Sequence, residues 1–158
     1  MLQHAKGNLI NLAEQGEFNV IIHGCNCQNT MGSGIAGELR SRYPEVYGAD
    51  YVASKQGLNK PGLFSFREVM TPSFRKFTVV NAYTQQHYLP RGKDHFEYEH
   101  FLPMMEKISF MFPRSRVGIP YIGMGLAGGN KATILNMLDV AAMIFDTKGS
   151  TLTLVEYA

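Results

Sequence analysis

Val20–Arg42 reads VIIHGCNCQNTMGSGIAGELRSR, and this stretch decides how the remaining sequence is interpreted. The β-branched residues Val20–Ile22 are typical of a buried strand. A small and polar segment follows, and Ile35, Ala36 and Leu39 then fit one face of a helix. Glycines between a strand and a helix let backbone N–H groups approach an anion, and the helix dipole attracts that anion. The stretch therefore predicts a phosphate-binding loop with amide side chains beside it.

The composition is that of a soluble globular protein. The chain has 158 residues, of which 45% are hydrophobic and 18% are charged, so we expect one domain, 1–158, with a sizeable core. The net charge is +2 and the lysines and arginines are scattered, which argues against a nucleic-acid partner. No apolar stretch approaches about 20 residues, and the first residues lack the layout of a signal peptide. We therefore expect no membrane association.

The two cysteines, Cys25 and Cys27, are separated by one residue and are too close for an ordinary disulfide framework. Without a secretion signal they indicate a reducing, cytoplasmic environment. We interpret them as small buried residues, because no second pair of Cys or His completes a zinc site. A thiol nucleophile would need a base, and no residue is placed to serve as one.

We expect that the protein uses no metal and no cofactor. We also expect it to be a monomer.

Patterns typical of strands and helices alternate along the chain. The predicted strands are Leu2–Lys6, Val20–Cys25, Leu63–Val69, Phe77–Tyr83, Arg116–Ile122 and Leu152–Tyr157. The predicted helices are Leu9–Glu14, a segment ending near Arg42, Glu45–Ala53, a segment from near His95 to Pro113, and Asn130–Phe145. This alternation predicts a three-layer α/β domain with a largely parallel central sheet. Ligands of such a sheet bind at the carboxyl ends of its strands.

The start of the helix before Pro113 is ambiguous in the sequence. Asp94 and Glu97 have the spacing of a capping box, which predicts a start near His95. Pro103 opposes this start, because a proline inside a helix removes a hydrogen bond. The helix is therefore either kinked at Pro103 or begins later.

Two glycine-rich loops, Met31–Ile35 and Gly123–Gly128, each follow a predicted strand and precede a predicted helix. Glycine also serves ordinary tight turns, so one such loop indicates little. Two of them in a small domain predict a ligand with two phosphates held between them. A Rossmann interpretation fails because only one helix and one strand follow the second loop, and a P-loop interpretation fails because no Gly-Lys-Ser/Thr follows.

Polar side chains beside the first loop have two interpretations each. Asn26, Gln28 and Asn29 could hold sugar hydroxyls, because amides both donate and accept, or they could cap the loop. His23 at the end of an apolar strand could be a core residue with a satisfied hydrogen bond. Alternatively, its ordinary pKa would suit proton transfer near neutral pH.

Four stretches taken together closely resemble the signatures of macro domains, the ADP-ribose-binding modules. They are HGCNCQNTMGSGIAGELRSRYPEVY from His23, Lys6–Leu9, NAYTQQHY at Asn81–Tyr88 and IPYIGMGLAG at Ile119–Gly128. The branch that the chain is most similar to includes ADP-ribose 1''-phosphate phosphatases and deglycosylases. The resemblance implies a mixed, largely parallel sheet of about six strands between helices, with ADP-ribose in a cleft at its edge.

The resemblance also implies roles for individual residues. Asn8 stands where the family usually has the aspartate that accepts a hydrogen bond from the adenine amino group, and Asn26 stands beside the distal ribose. Tyr157 could stack on adenine. The implied ligand-binding positions are Asn8, Leu9, Met31, Gly32, Ser33, Gly34, Ile35, Thr84, Gln85, Gly123, Met124, Gly125, Leu126, Ala127 and Tyr157.

Two departures from the family pattern bear on the chemistry. The deglycosylases of this branch carry a catalytic lysine after a threonine, whereas here Gln85 follows Thr84 and cannot form the covalent sugar adduct. They also carry an acidic residue near the second loop, where this chain has Ala127 and Asn130. A lysine-dependent deglycosylase is therefore not expected.

The segment His23–Cys27 resembles the His-x-Cys-Asn-Cys context of the phosphatase branch, which implies catalytic roles for His23 and Asn26. We predict that the chain binds ADP-ribose and hydrolyses the 1''-phosphate of ADP-ribose 1''-phosphate. One alternative is a non-catalytic reader of free or protein-linked ADP-ribose. A lower-ranked alternative, prompted by Asn8, is binding of another nucleotide or a nucleic-acid end.

Overall fold

The structure is a computed structural model that describes residues 1–28, 31–32, 34–87, 93–124 and 128–157. The strands are β1 (Gln3–Lys6), β2 (Val20–Asn26), β3 (Phe64–Met70), β4 (Lys76–Gln85), β5 (Arg116–Ile119) and β6 (Thr151–Glu156). The helices are α1 (Leu9–Glu14), α2 (Gly34–Arg42), α3 (Pro44–Lys55), α4 (Tyr98–Met111) and α5 (Lys131–Asp146). The predicted alternation of strands and helices is confirmed.

The six strands form one mixed sheet with the order β1-β6-β5-β2-β4-β3. The pairs β1–β6, β5–β6, β2–β5 and β2–β4 are parallel, and β3 is antiparallel to β4 at one edge. The predicted α/β fold class with a largely parallel central sheet is therefore correct. Because parallel strands end at the same edge, the segments after β1, β2, β4, β5 and β6 lie along that edge.

Two hydrophobic cores lie on opposite faces of the sheet. Alternate residues of β2 separate between them, since Ile22 belongs to the core beneath α4 and α5 and Ile21 to the core beneath α1, α2 and α3. Val80 and Val79 of β4 separate in the same way. This alternation produces the three layers, because each face of the central strands carries its own row of apolar side chains.

Helix α4 begins at Tyr98, so the predicted start near His95 is wrong. The Asp94 carboxylate accepts hydrogen bonds from the Phe96 backbone N–H (3.1 Å) and the Tyr98 hydroxyl (2.5 Å). The cap residue Glu97 forms no capping hydrogen bond with its side chain, and Pro103 lies inside the helix. The acidic spacing that resembles a capping box therefore serves the loop before the helix.

Strand β5 ends at Ile119, three residues before the predicted end. Pro120 has no backbone N–H and cannot continue the ladder. The Ile122 N–H instead donates to the Pro120 carbonyl at 2.6 Å, which begins the turn into the second glycine loop. Within the described residues, no helix has the length and apolarity that a membrane crossing requires.

Candidate ligand-binding cleft

A cavity of about 660 Å³ opens at the edge where the parallel strands end, a volume typical of small-ligand sites. The described residues that line it are Gly7, Asn8, Leu9, Gly34, Ile35, Glu38, Pro120, Tyr121, Lys131, Val155, Glu156 and Tyr157. They follow or end β1, β5 and β6, or belong to α2 and α5. The structure thus brings five predicted ligand-binding residues together: Asn8, Leu9, Gly34, Ile35 and Tyr157.

Asn8 is held at the cleft by two hydrogen bonds. Its Oδ1 accepts from the Asn11 backbone N–H at 3.0 Å and caps α1, while its Nδ2 donates to Oε1 of Glu38 at 3.2 Å. The amide orientation follows from the partners, because a backbone N–H can only donate and a carboxylate can only accept. The oxygen predicted to accept from a ligand therefore already serves the helix cap.

Glu38 belongs to an ion-pair network between α1 and α2. Oε1 of Glu38 lies 2.7 Å from Nη2 of Arg42, and Nη1 of Arg42 lies 2.9 Å from Oε1 of Glu14. The same Nη1 donates to Oδ1 of Asn11 at 2.8 Å. Arg42 thereby fixes the Glu38 side chain at the cleft wall.

A cation and two aromatic rings occupy another part of the lining. Nζ of Lys131 lies 5.3 Å from the ring centroid of Tyr121, within the range of a cation–π contact. The Tyr157 side chain is 79% exposed, so its ring is open to a ligand. These groups offer a positive charge and aromatic surface to an anionic ligand with a planar ring.

The two glycine loops contain glycines with positive φ, for which the surroundings differ. Gly123 has φ +73°, and a Cβ there would lie 2.3 Å from Cδ2 of Phe96, so only glycine fits. The Gly129 N–H donates to the Gly123 carbonyl at 2.8 Å. Gly32 is exposed and Gly34 has φ +59° with open space beside it. The predicted residues Ser33, Gly125, Leu126 and Ala127 lie outside the described residues.

The end of the second loop is tied to the segment before α4. The Asn130 backbone N–H donates to the Tyr98 hydroxyl at 2.7 Å, and that hydroxyl donates to Asp94. Oδ1 of Asn130 also accepts from the Thr133 N–H at 2.9 Å and caps α5. Asn130 and Tyr98 therefore hold the beginning of α5 in place.

Other predicted residues do not line the cleft among the described residues. The Met31 side chain is buried in the core beneath α2, where it packs and does not line the cleft, and the ligand contact of Met31 stays a prediction. Thr84 is buried, and its Oγ1 has no hydrogen-bond partner among the described residues. Met124 is half-buried against the other core. Gln85 is half-buried and donates from Nε2 to the His87 carbonyl at 2.7 Å.

Asn26 ends β2 and is half-buried. Its Oδ1 accepts from the Gln28 backbone N–H at 2.8 Å, and Nε2 of Gln28 lies 2.7 Å from Nδ1 of His87. Because Asn26 is in register with Gln85, these polar groups meet where β2 and β4 end. Their contribution to a site remains a prediction.

His23 is fully buried, which corrects the prediction that it transfers a proton to a ligand. Its Nε2 lies 2.6 Å from Oδ1 of Asn81, the residue opposite it on β4. Burial lowers the pKa of His23 to about 4, although the Asn81 hydrogen bond opposes that shift. The imidazole is therefore neutral near pH 7 and its ring cannot touch a ligand in the cleft.

Asn81 continues a buried chain of hydrogen bonds. Its Nδ2 donates to Oγ of Ser65 at 3.1 Å, Ser65 contacts the Tyr83 hydroxyl at 2.8 Å, and that hydroxyl donates to Asp50 at 2.7 Å. Burial raises the pKa of the Asp50 carboxyl, whose Oδ2 has no partner among the described residues. These hydrogen bonds join β2, β4, β3 and α3. They explain the burial of His23, which has a structural role.

Cys25 and Cys27 are free and buried in the core beneath α2 and α3. Burial raises the pKa of both thiols, that of Cys27 to about 12, so neither is a thiolate near neutral pH. Among the described residues, one group of three His, Cys, Asp or Glu side chains is close enough to share an ion: the ligand atoms of Glu97, Glu99 and His100 lie within 4.8 Å of one another near the start of α4. The Glu99–His100 ion pair explains their proximity.

The sequence interpretation missed four polar or aromatic residues of the lining: Glu38, Tyr121, Lys131 and Glu156. Glu38 lies three positions after Ile35, the spacing that places two residues on one helix face. This spacing is visible in the sequence, but it does not single out Glu38, because charged residues on a helix are usually exposed to solvent. Tyr121 and Lys131 flank the second glycine loop, and the resemblance assigns ligand-binding roles only to residues within that loop.

Comparisons with known proteins agree with this architecture. No family model matches the chain. An uncharacterized 17.5 kDa protein from the tk–vs intergenic region of Enterobacteria phage T4 is 31% identical over 144 residues, which cover 88% of each chain. The ADP-ribose 1''-phosphate phosphatase of Saccharomyces cerevisiae is 32% identical over 81 residues, covering 50% of this chain and 42% of the yeast protein.

Solved structures match over nearly the whole chain. The macrodomain of Mycobacterium tuberculosis DarG has a TM-score of 0.78 and 21% identity, covering 98% of this chain and 97% of its own. A Trypanosoma brucei macrodomain in complex with ADP-ribose has a TM-score of 0.68 and 11% identity, covering 99% of this chain and 63% of its own. The fold is thus that of a macro domain.

The cleft lies at the carboxyl edge of that fold. The chain therefore has the macro domain fold, and over most of its length it is related in sequence to the uncharacterized phage T4 protein.

Proposed function

We propose that the chain binds ADP-ribose in the cleft. The observation that carries the proposal is the lining itself. Gly34 of the first glycine loop, Tyr121 just before the second loop, and Lys131 and Tyr157 all line one cavity of about 660 Å³. A diphosphate needs backbone N–H groups and a cation, and a purine needs an apolar or aromatic surface. The ADP-ribose complex of the similar Trypanosoma brucei macrodomain supports the choice of ligand.

In this proposal each part of the ligand contacts a different part of the protein. The glycine loops around Gly34 and Gly123 hold the diphosphate, with Lys131 contributing positive charge. Tyr157 stacks on the purine. Asn26, at the end of β2, faces the distal ribose.

Calorimetry with ADP-ribose tests the proposal. Wild-type protein is expected to bind, and Tyr157→Ala is expected to bind about 10-fold more weakly, because stacking on an aromatic ring stabilises a bound base. Phe110→Ala is the matched control, since Phe110 is an aromatic residue of α4 that is 76% exposed and does not line the cleft. Absence of wild-type binding at millimolar ADP-ribose would overturn the proposal.

We further propose that the chain hydrolyses the 1''-phosphate of ADP-ribose 1''-phosphate, an activity favoured by the partial match to the yeast phosphatase. Water attacks phosphorus, the bond between phosphorus and the 1''-oxygen breaks, and the leaving oxygen takes up a proton. Asn26 orients the distal ribose for this step, whereas buried His23 acts only by holding β2 and β4 together.

Phosphate release from ADP-ribose 1''-phosphate separates the enzyme from a non-catalytic reader. The wild type is expected to release phosphate, and Asn26→Ala to lose most of that activity while still binding ADP-ribose. Binding of ADP-ribose without any phosphate release would favour the reader.

A further inference from the structure

We propose that Glu38 selects the base of the bound nucleotide by accepting a hydrogen bond from an exocyclic amino group. This inference rests on the proposed binding of ADP-ribose and assigns a specificity-determining residue within the cleft. It concerns a carboxylate on α2, whereas the residue expected to accept this hydrogen bond from the sequence is Asn8.

Glu38 is placed to present one unoccupied oxygen. Its side chain is 33% exposed and lines the cleft. Both protein partners, Nδ2 of Asn8 at 3.2 Å and Nη2 of Arg42 at 2.7 Å, contact Oε1. Among the described residues, Oε2 has no hydrogen-bond partner.

The two contacts on Oε1 also fix the carboxylate. A flexible glutamate loses side-chain entropy when it binds a ligand, but a side chain already held by two partners has lost much of it beforehand. Arg42 is itself held by Glu14 and Asn11, so the direction of Oε2 is determined by the packing of α2 against α1.

Asn8 cannot perform this role equally well. Its Oδ1 already accepts the Asn11 N–H that caps α1, and its Nδ2 is a donor that faces Glu38. A ligand amino group that approaches Asn8 and Glu38 therefore finds the stronger acceptor in Glu38, since hydrogen bonds to charged groups exceed those to neutral ones.

Charge determines which end of the ligand lies here. Glu38 and Glu14 around a single Arg42 leave one formal negative charge, Glu156 adds a second carboxylate to the lining, and both repel a diphosphate. Lys131 beside Tyr121 supplies the opposite charge elsewhere in the same lining. The ligand is thus oriented with phosphates toward Lys131 and donor-bearing base toward Glu38.

The test compares ADP-ribose with its analogue in which hydrogen replaces the 6-amino group of adenine. Calorimetry on the wild type is expected to show about 10-fold weaker binding of the analogue. This loss of affinity is at the lower end for a hydrogen bond to a charged acceptor, because Glu38 is partly solvated. In Glu38→Ala the two ligands are expected to bind within about twofold of each other, and in Glu38→Gln the ratio is intermediate. Loss of fold or general loosening would weaken both ligands alike and leave their ratio unchanged.

Glu14→Gln is the matched control, because it removes the other carboxylate on Arg42 without changing a residue that lines the cleft. It is expected to keep the wild-type ratio. Equal wild-type affinity for both ligands, or an unchanged ratio in Glu38→Ala, would overturn the role of Glu38 while leaving ADP-ribose binding intact. Failure of the wild type to bind ADP-ribose would overturn the proposed function and this inference with it. If Glu38→Ala does not fold, Glu38→Gln supplies the comparison, and an unchanged ratio in that variant would likewise overturn the role of Glu38.

Discussion

His23 is a basic side chain kept neutral by its surroundings. It is enclosed between β2 and β4 with Asn81 as its hydrogen-bond partner. Because the folded state lowers its pKa to about 4 from an ordinary 6.5, the unfolded chain binds a proton there more readily than the folded one. The contribution of His23 to stability is therefore complete above pH 6.5 and is lost as the pH falls toward 4.

His23→Gln tests this dependence. Glutamine can still donate to Asn81 but does not titrate, so the variant should lose less stability between pH 6.5 and 4. The difference is about 3 kcal/mol in the free energy of unfolding, at about 1.4 kcal/mol for each pKa unit. Urea unfolding at several pH values measures it.

The pH dependence of stability must be compared between the wild type and His23→Gln, because Asp50 changes the stability with pH in the opposite direction. Its raised pKa makes the folded state bind the proton more tightly, so its contribution falls as the pH rises. An identical pH profile for wild type and His23→Gln would show that the histidine does not carry the effect.

For individual residues, the sequence predicts which residues belong near the ligand better than it predicts which of them are exposed. Asn8 and Tyr157, which the resemblance assigns to the same base, line one cleft. Met31 and His23 were expected at the ligand but are buried, because burial depends on helices packed over β2 from distant parts of the chain. The alternation along a strand shows which residues lie on the same face of the sheet, but it does not show which elements cover that face.

At the scale of elements, Asn130 connects a loop to a helix. Asn130→Ala removes the side-chain acceptor for the Thr133 N–H and is expected to lower the free energy of unfolding by about 1 kcal/mol. Asn130→Asp keeps an acceptor and adds a negative charge at the helix N-terminus, so its stability should remain close to that of the wild type. Urea denaturation at pH 7 compares them, and equal losses in both variants would contradict the capping role.

The bounds of the elements could be predicted where local chemistry determines them. Helix α1 has the predicted bounds Leu9–Glu14, because Gly7 and Asn8 before it supply a turn and a cap. Helix α4 does not start where predicted, because Asp94 binds the Tyr98 hydroxyl, a contact that a local pattern of acidic residues does not distinguish from a capping box.

At the scale of the whole molecule, two cores share one sheet. Phe77 of β4 is buried in the core beneath α2 and α3, and Phe145 of α5 is buried in the core on the opposite face of the sheet. Phe77→Ala and Phe145→Ala are each expected to lower the free energy of unfolding by about 3–5 kcal/mol. Because the same strands contribute to both cores, each variant should still unfold in one transition.

Circular dichroism and tyrosine fluorescence measure that transition independently. Their midpoints should coincide in both variants, while Phe110→Ala, at an exposed position, should change stability by less than about 0.5 kcal/mol. Separate midpoints for the two signals would show that the faces of the sheet unfold independently.

The pairing of β1 with β6 has a consequence for the order in which the cleft is assembled during synthesis. Gln3 is in register with Thr153, so β1 leaves the ribosome long before its partner strand exists. The central strands β2 and β4 can pair earlier, together with the loop after β2. The wall that joins Asn8 to Tyr157 is therefore the last part of the cleft to form, and a nascent chain gains its complete binding surface only when β6 has been added.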